Sequence, residues 1–264
     1  MKRVLIGSPI HQKAPILKEF LESLVRLETG NIKVDYCFFD DNNQDSSREL
    51  LNKFERENKN TKVFLSNDNE IYQKDHFTHY WNDRLIQKVA SMKNEIINYA
   101  IENEYDYLFL VDSDLVLNPK TLNQLIDAQK DIISNIFWTS WQPNTIEMPQ
   151  VWLEDEYSMC KKQNPPLSDE EITSRTFSLL HQLKIPGIYE VGGLGACTLI
   201  SKTALVSGVN FSRISNLSFW GEDRHFCIRA AALGFQLFVD THYPAYHIYR
   251  DSDLEGVKTF KLNF

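Results

Sequence analysis

Apolar runs of strand length alternate with helical segments along the first half of the chain. The apolar runs cover residues 3–6, 33–39, 62–65 and 105–111. Between them, apolar residues recur three or four positions apart, which predicts amphipathic helices at residues 17–25, 48–57 and 85–99. A strand, a helix and a second strand in this order form a parallel unit. The pattern therefore predicts an α/β fold with a mostly parallel central sheet.

The second half has a less regular pattern. Ser168, followed by Glu171, matches a capping box and predicts a helix that ends near Lys184. Prolines and aromatic residues fill the segment before it, including an acidic and aromatic run at residues 151–157. The other predicted elements are a helix at residues 121–129, a strand at residues 132–141, a strand ending at residue 191, a turn at residues 192–195, a strand at residues 196–200, a helix at residues 224–233 and a strand at residues 235–239.

The composition allows a large core and argues against a nucleic-acid partner. With 264 residues, of which 42% are hydrophobic, the chain can form one sizeable domain or two small ones. Its 28 basic and 36 acidic residues give a formal net charge of −8, whereas nucleic-acid phosphates are bound by clustered Lys and Arg. A phosphorylated substrate would therefore need a cation to bridge it to the protein.

The sequence carries no evident disulfide, targeting or membrane signal. Cys37, Cys160, Cys197 and Cys227 lack Cys-x-x-Cys spacing, which favours reduced core thiols over disulfides or zinc ligands. The apolar stretch after Met1 is too short for a signal peptide, and no later run approaches transmembrane length. We therefore expect a cytoplasmic protein without a transmembrane segment.

The apolar run at residues 105–111 ends in the motif Asp112-Ser113-Asp114. A run without alternation is typical of a central parallel strand, and ligands bind just beyond the carboxyl ends of such strands. Side chains two residues apart in an extended segment point the same way, so both carboxylates can reach one Mg²⁺ or Mn²⁺ ion. The alternative is a surface turn that closes the strand, and the motif alone does not decide between the two.

Several motifs, in their order and spacing, resemble the nucleotide-sugar glycosyltransferases of the GT-A fold, closest to family 2. They are the acidic loop at residues 39–45, Lys93-Asn94 on the helix before the Asp112 strand, the motif at residues 112–114 and a Glu-Asp motif within residues 220–229. The resemblance implies a single domain over residues 1–264. In it, about residues 1–117 would bind the nucleotide and about residues 118–264 the acceptor.

The resemblance implies roles for four residues of the nucleotide-binding half. Asp40 and Asp41 are expected to accept hydrogen bonds from the base and ribose, and Pro9, in the turn beside them, is expected to line the same nucleotide site. The alternative for both acids is a solvated turn that caps the next helix. Lys93 is a candidate to balance charge near the diphosphate, but a lysine lacks the bidentate geometry of the family's usual arginine. We favour a solvated helix face for Lys93.

The same resemblance implies a divalent cation, Mn²⁺ or Mg²⁺, bound to Asp112 and Asp114, with Asp112 and Ser113 also contacting the donor. His247 follows the last predicted strand, where several metal-dependent GT-A enzymes carry a third protein ligand. His242 is the nearby alternative. Diphosphate oxygens and water would complete an octahedral site.

The Glu-Asp motif supplies the catalytic candidates. The resemblance implies that Asp223 is the general base and that Glu222 holds the acceptor, while Trp220 offers a flat surface to a sugar ring. Capping the helix is the alternative role for Asp223, and the helix start is expected to keep its carboxylate ionised. Gly193 follows a strand and would let the backbone approach the donor sugar, or it forms a plain tight turn.

These residues predict a metal-dependent transfer of a sugar from a nucleotide-diphosphate sugar to an acceptor hydroxyl, with inversion. Family likeness favours a UDP-linked donor, and the acceptor is a saccharide, a lipid-linked molecule or a protein. Two alternatives stay open. Residues 108–116 also resemble the first motif of haloacid-dehalogenase-type phosphohydrolases, in which one Asp is a nucleophile and the next a general acid. A non-catalytic nucleotide-sugar-binding protein would retain the Asp pair as well.

Overall fold

The computed structural model describes residues 1–66, 73–74, 79–80, 82–142, 145–218 and 221–264. Its strands are β1 (Lys2–Ile10), β2 (Ile32–Asp40), β3 (Thr61–Leu65), β4 (Gln73–Lys74), β5 (His79–Tyr80), β6 (Tyr107–Leu110), β7 (Leu115–Val116), β8 (Ile132–Thr139), β9 (Met148–Pro149), β10 (Val151–Trp152), β11 (Ile188–Val191), β12 (Gly193–Leu194), β13 (Thr198–Ser201) and β14 (Leu237–His247). Its helices are α1 (Ala14–Val25), α2 (Asp45–Glu57), α3 (Asp83–Glu102), α4 (Thr121–Asp127), α5 (Asp169–Leu183), α6 (Lys202–Val206), α7 (Glu222–Ala232) and α8 (Leu254–Lys261). The four strands predicted in the first half are therefore confirmed as β1, β2, β3 and β6.

One sheet contains strands from both halves of the chain. Its order is β11-β14-β8-β13-β6-β1-β2-β3, with β7 paired to β14 and β9 paired to β8. β1 runs parallel to β2 and to β6. β2 also runs parallel to β3, and β14 runs parallel to β8. β13 runs antiparallel to both of its neighbours, and β11 antiparallel to β14. The predicted α/β class with a mostly parallel sheet is confirmed, while the division into a nucleotide-binding and an acceptor-binding half stays a prediction.

Helices cover both faces of the sheet, which is why its central strands are apolar throughout. In β1, Val4 and Ile6 belong to the core shared with α1, α2 and α4, whereas Leu5 belongs to the core shared with α3, α5 and α7. Gly7 allows α3 to approach closely, because a Cβ at this position would lie 2.4 Å from Cγ2 of Ile96. This contact sets α3 against the strand that leads into the predicted site.

β14 continues to His247, well beyond the predicted end at residue 239. Its first part pairs with β8, the register shifts between Asp240 and Ala245, and its last residues pair with β7, so that His247 lies opposite Leu115. Polar residues and a proline interrupt the apolar pattern here, which hides the strand in the sequence. The extension matters for the site, because β7 directly follows the Asp112-Ser113-Asp114 motif.

Two local predictions have different outcomes. The capping box is confirmed: the Ser168 amide donates to Oε2 of Glu171 at 2.9 Å, and α5 follows. The predicted turn at residues 192–195 contains a short strand instead, since β12 pairs with β10 and sets Gly193 opposite Trp152.

The four cysteines are free and buried, as expected for core thiols. Within the parts of the chain that the structure describes, no helix is both long enough and apolar enough to cross a membrane.

Candidate active site

A pocket lies at the carboxyl ends of β1 and β6, the edge where ligands bind in sheets of this kind. Four predicted site residues, Pro9, Lys93, Asp112 and Asp223, come together around it, and Gly195 joins them without having been predicted. The full lining is Pro9, Lys93, Leu110, Val111, Asp112, Leu194, Gly195, Ala196, Thr198, Phe211, Asp223 and Phe226.

β7 and the end of β14 bring His247 beside Asp114. Nε2 of His247 lies 3.6 Å from Oδ2 of Asp114, and Nδ1 lies 2.7 Å from the hydroxyl of Thr139. Because the hydroxyl engages Nδ1, the other ring nitrogen is the one turned towards the carboxylate. The alternative, His242, instead lies 3.0 Å from Oδ2 of Asp240. Of the two histidines considered from the sequence, His247 is therefore the one that joins the Asp motif.

Asp112 lies in an environment with excess negative charge. Burial raises the pKa of its carboxyl to about 6; the Lys93 ammonium opposes this rise, and the Asp114 and Glu222 carboxylates add to it. Carboxylate oxygens and an imidazole nitrogen are suitable ligands for Mn²⁺. In the described ranges, no three His, Cys, Asp or Glu side chains are arranged closely enough to hold a metal ion together. The residues thus fit a divalent cation in donor type and charge, with Asp114 and His247 already adjacent.

Lys93 is buried between the two acids of the Glu-Asp motif. Its Nζ lies 2.8 Å from Oε1 of Glu222 and 3.1 Å from Oδ1 of Asp223, and only 3% of the residue is exposed. The same nitrogen lies 4.9 Å from the centroid of the Phe211 ring. The expectation of a solvated helix face is wrong, because this side of α3 packs against α7. Burial acts to lower the pKa of Lys93, but the surrounding carboxylates, Asp223 first, outweigh it and raise the pKa well above its usual value.

Asp223, in the first turn of α7, has a carboxyl whose protonation is balanced near neutral pH. Burial raises its pKa to about 7; Lys93 opposes the rise, and Glu222 and Asp112 add to it. Burial beside Glu222 and Asp112 therefore opposes the ionisation of Asp223 that is expected at the helix start. A helix N-terminus contributes only about 0.3–1 kcal/mol, which does not offset burial beside other carboxylates. A carboxyl group with this pKa suits a general base that works near pH 7.

Asp40 and Asp41 end β2, but both carboxylates are already engaged. Oδ1 of Asp40 accepts hydrogen bonds from the amide and the side chain of Asn42 at 2.9 and 2.8 Å. Asp41 lies 2.7 Å from Nζ of Lys88 and 3.5 Å from Nδ1 of His11. Burial acts to raise the pKa of Asp41, but hydrogen bonds from His11 and Lys88 outweigh it and lower the pKa. The alternative of a solvated acidic turn is wrong, because both side chains are largely buried.

Gly193 faces an aromatic ring rather than open space. A Cβ at this position would lie 1.9 Å from Cε2 of the Trp152 indole. Packing between β10 and β12 therefore explains this glycine, and a donor contact at Gly193 stays a prediction. Ser113 is buried, and its contact with the donor stays a prediction too. Trp220 lies outside the described residues, as does its predicted stacking on a sugar.

An ion pair joins the loop at residues 153–158 to α7. Arg224 donates from Nε to Oδ1 of Asp155 at 2.5 Å and from Nη2 to Oδ2 at 2.8 Å. The loop also carries Tyr157, whose hydroxyl oxygen lies 2.6 Å from the position that a Cβ on Gly221 would take. Glu156 and Tyr157 have left-handed φ values of 62° and 58°, which cost energy in residues with a side chain. The loop is thus fixed beside the start of the helix that carries the two acids.

Besides Gly195 and Thr139, sequence reasoning did not single out Tyr157, Lys88 or Phe211. Tyr157 lies in the acidic and aromatic run at residues 151–157, which is the signal that could have drawn attention to it. Lys88 precedes Lys93 by five positions on the same helix, and a lysine on an amphipathic helix usually indicates a solvated face. Phe211 gave no signal, since nothing in its neighbourhood distinguishes it from an ordinary core residue.

A sequence model of the family described as Glycosyltransferase family 25, N-terminal domain, matches residues 1–141, more than half of the chain. The chain belongs to this family. The expected likeness to GT-A-type glycosyltransferases is confirmed, and the matched family is number 25, whereas the motifs had resembled family 2. Membership of a glycosyltransferase family leaves the phosphohydrolase alternative without support.

Other known proteins match parts of this glycosyltransferase chain. A "Processive diacylglycerol beta-glycosyltransferase" from Mycoplasma genitalium is 25% identical over 130 residues, which are 49% of this chain and 32% of that protein. The fold resembles mannosyltransferase PcManGT from Pyrobaculum calidifontis, solved with GDP-Man and Mn²⁺, with a TM-score of 0.56, 11% identity and coverage of 98% of this chain and 60% of that one. It also resembles GalNAc-T7, solved with UDP, GalNAc and Mn²⁺, with a TM-score of 0.59, 16% identity and coverage of 94% and 43%. The chain thus spans less than two thirds of the length of each of these proteins, and the two structures support the GT-A fold.

Proposed function

We propose that this chain transfers a sugar from a nucleotide-diphosphate sugar, UDP-linked, to an acceptor hydroxyl, with the help of a divalent cation and with inversion. The observation that carries the proposal is the convergence of Asp112, Lys93 and Asp223 on one pocket at the carboxyl edge of the sheet, with Glu222 joined to this group through Lys93. Family membership supports the reaction class, and the nucleotide-bound structures with the same fold support the class of donor.

The cation would be Mn²⁺ or Mg²⁺, held by Asp112, Asp114 and His247. When bound, it supplies positive charge that offsets the diphosphate and stabilises the leaving nucleotide. Thr139 supports this role for His247, because its hydroxyl bonds Nδ1 and orients the ring. Both similar structures are described with Mn²⁺.

The nucleotide would lie along the ends of β1 and β2, near Pro9 and the Asp41–Lys88 pair. Asp40 and Asp41 both stay candidates to accept a hydrogen bond from the base or ribose, each beside its present partners. Asp40 would also fix the loop through its hydrogen bonds from Asn42. Ser113 and Gly193 complete the set of proposed donor contacts.

Asp223 is the proposed base. As the acceptor oxygen attacks the anomeric carbon, its proton passes to the Asp223 carboxylate, and the bond from that carbon to the diphosphate oxygen breaks with its electron pair leaving on the nucleotide. Glu222 would hold the acceptor through hydrogen bonds. A carboxylate with a pKa of about 7 can accept a proton without being too weak a base at neutral pH.

The loop at residues 153–158 is the proposed border of the acceptor site. It is tied to α7 by the Asp155–Arg224 pair, and it presents Tyr157 next to Gly221, immediately before the two acids. An acceptor hydroxyl that reaches Asp223 would pass this loop. The acceptor itself is a saccharide, a lipid-linked molecule or a protein with a free hydroxyl.

A thermal-shift panel of UDP- and GDP-linked sugars, each with and without Mn²⁺, tests the proposal. A ligand that binds only the folded protein must raise its melting temperature. We expect a shift with UDP-sugars that grows when Mn²⁺ is added. No shift with any nucleotide sugar would contradict the proposal, and tight binding without hydrolysis or transfer would favour a non-catalytic binding protein.

A further inference from the structure

One lysine serves two carboxylates at the proposed catalytic centre. Lys93 reaches Glu222 at 2.8 Å and Asp223 at 3.1 Å, and its side chain is only 4% exposed. The two acids come from the first turn of α7, more than a hundred residues later in the chain. Neighbouring residues of a helix project in different directions, and the Lys93 ammonium is the point at which these two carboxylates meet.

We infer that Lys93 is a positioning residue that holds the carboxylates of Glu222 and Asp223 at the pocket, rather than a ligand of the donor diphosphate. The inference rests on the proposed function, in which Asp223 is the base. It assigns Lys93 to the acceptor side of the reaction, whereas the sequence motif had suggested the donor side.

The contacts of Lys93 explain why it is not available to the diphosphate. An ammonium group has three hydrogen-bond donors, and two of them already point to Glu222 and Asp223. Its remaining surroundings include the Phe211 ring at 4.9 Å. Moving the ammonium to the diphosphate would leave the partly buried carboxylates of Glu222 and Asp223 without their counter-ion, which is unfavourable. The diphosphate charge is therefore left to the divalent cation.

The charged groups that face Asp223 have opposite effects on the ionisation of its carboxyl group. Lys93, from α3, stabilises the carboxylate form, whereas Glu222 on the same helix and Asp112 beyond β6 destabilise it. Tyr157, from the loop at residues 153–158, is neutral at working pH, since burial and the nearby carboxylates raise its pKa. Lys93 is thus the positive charge that keeps part of Asp223 ionised at neutral pH.

The test is a direct titration of Asp223 by NMR of protein labelled with ¹³C at the aspartate carboxyl carbons. The protein is kept free of metal with EDTA, and Asp223→Asn assigns the signal. In Lys93→Met, which keeps the length of the side chain without its charge, we expect the pKa of Asp223 to rise by about one unit or more, or about tenfold in proton affinity. Lys93→Arg should restore most of the wild-type value.

Lys88→Met is the matched control, because it removes the other buried lysine of α3. It should leave the pKa of Asp223 unchanged and raise that of Asp41, its own partner. Donor binding separates the two roles of Lys93: by calorimetry, Lys93→Met should change the affinity for UDP with Mn²⁺ by less than about threefold. A loss of about tenfold or more would assign Lys93 to the diphosphate.

An unchanged pKa of Asp223 in a folded Lys93→Met protein would overturn the inference. If that variant does not fold, the ¹⁵N signal of the Lys93 ammonium in the wild-type protein replaces it: we expect this signal to shift at the pH where Asp223 titrates, and a signal that does not respond overturns the inference. Failure of the proposed function looks different, since the wild-type protein would then bind no UDP at all.

Discussion

The two buried lysines of α3 lie five residues apart and serve different parts of the pocket edge. Lys88 pairs with the carboxylate of Asp41; burial acts to raise the pKa of this acid, but hydrogen bonds from His11 and Lys88 outweigh it and lower the pKa. Lys93 pairs with Glu222 and Asp223, and burial raises the pKa of Asp223 to about 7 in spite of the lysine. One helix thus carries an ion pair with an ionised acid at the nucleotide end, and a cluster with excess negative charge at the proposed catalytic end.

The difference follows from the charges around each lysine. At the first position, the Lys88 ammonium lies 2.7 Å from the Asp41 carboxylate, so these two opposite charges offset each other. At the second, a single ammonium meets Glu222 and Asp223 and also stabilises Asp112, so negative charge is left over. Excess buried charge attracts cations and protons. A nucleotide site needs a fixed shape, whereas the proposed catalytic site needs the capacity to take up a metal ion and a proton.

The largest expected effect is on turnover at the charged cluster. Asp223→Asn keeps the shape of the side chain and removes its basicity, so kcat should fall by about a hundredfold or more. Steady-state kinetics with a UDP-sugar and Mn²⁺ would measure it, and donor affinity should remain as in the wild type. Wild-type turnover by this variant, or a product with retained anomeric configuration, would contradict the role of Asp223.

The Lys88–Asp41 ion pair should contribute more to the stability of the fold than to turnover. Lys88→Met leaves the Asp41 carboxylate buried without its main counter-ion, which should lower the free energy of unfolding by about 3–5 kcal/mol in denaturant titrations. Lys53→Met is the matched control, since it removes an exposed ion pair with Glu57 that is expected to contribute only about 0.3–0.5 kcal/mol. If both variants lose the same free energy of unfolding, the Lys88–Asp41 pair contributes no more to stability than an exposed ion pair.

The smallest effect is on the pH dependence of the reaction. The base must be ionised, and the pKa of Asp223 is raised to about 7, so its active form is lost as the pH falls. Below about pH 7, kcat/KM should decrease about tenfold per unit, because this ratio reports ionisation of the free enzyme. A kcat/KM that stays constant down to pH 5 would contradict the raised pKa of Asp223, and with it the contrast between the acids beside Lys93 and Lys88.

Much of the fold could be predicted from the sequence, because a parallel sheet buried on both faces needs continuous apolar strands. Residues 105–111 show such a run, and β6 lies at the centre of the sheet. The end of β14 could not be predicted, since its pairing with β7 depends on a register shift between Asp240 and Ala245 rather than on an apolar pattern.

The sequence indicates which residues are candidates for the site, but it does not indicate which of them contact one another. Asp112, Asp223 and His247 follow from motifs, since each lies at an element end. The partners of Lys93, Glu222 and Asp223, could not be predicted, because they lie far away in the chain and a helical lysine is usually solvated. The raised pKa of Asp223 likewise depends on burial and on the charge of Asp112, which lies far away in the chain.

The central claim is that a divalent cation at the Asp motif supports binding of a nucleotide-sugar donor. Calorimetry of UDP binding, with and without Mn²⁺, to the wild type and to Asp114→Ala tests it most directly, with the exposed acid Asp169→Ala as control. We expect Mn²⁺ to strengthen UDP binding to the wild type and to Asp169→Ala by about tenfold or more, and Asp114→Ala to lose this gain. Equal dependence on Mn²⁺ in Asp114→Ala and in the wild type would contradict the claim.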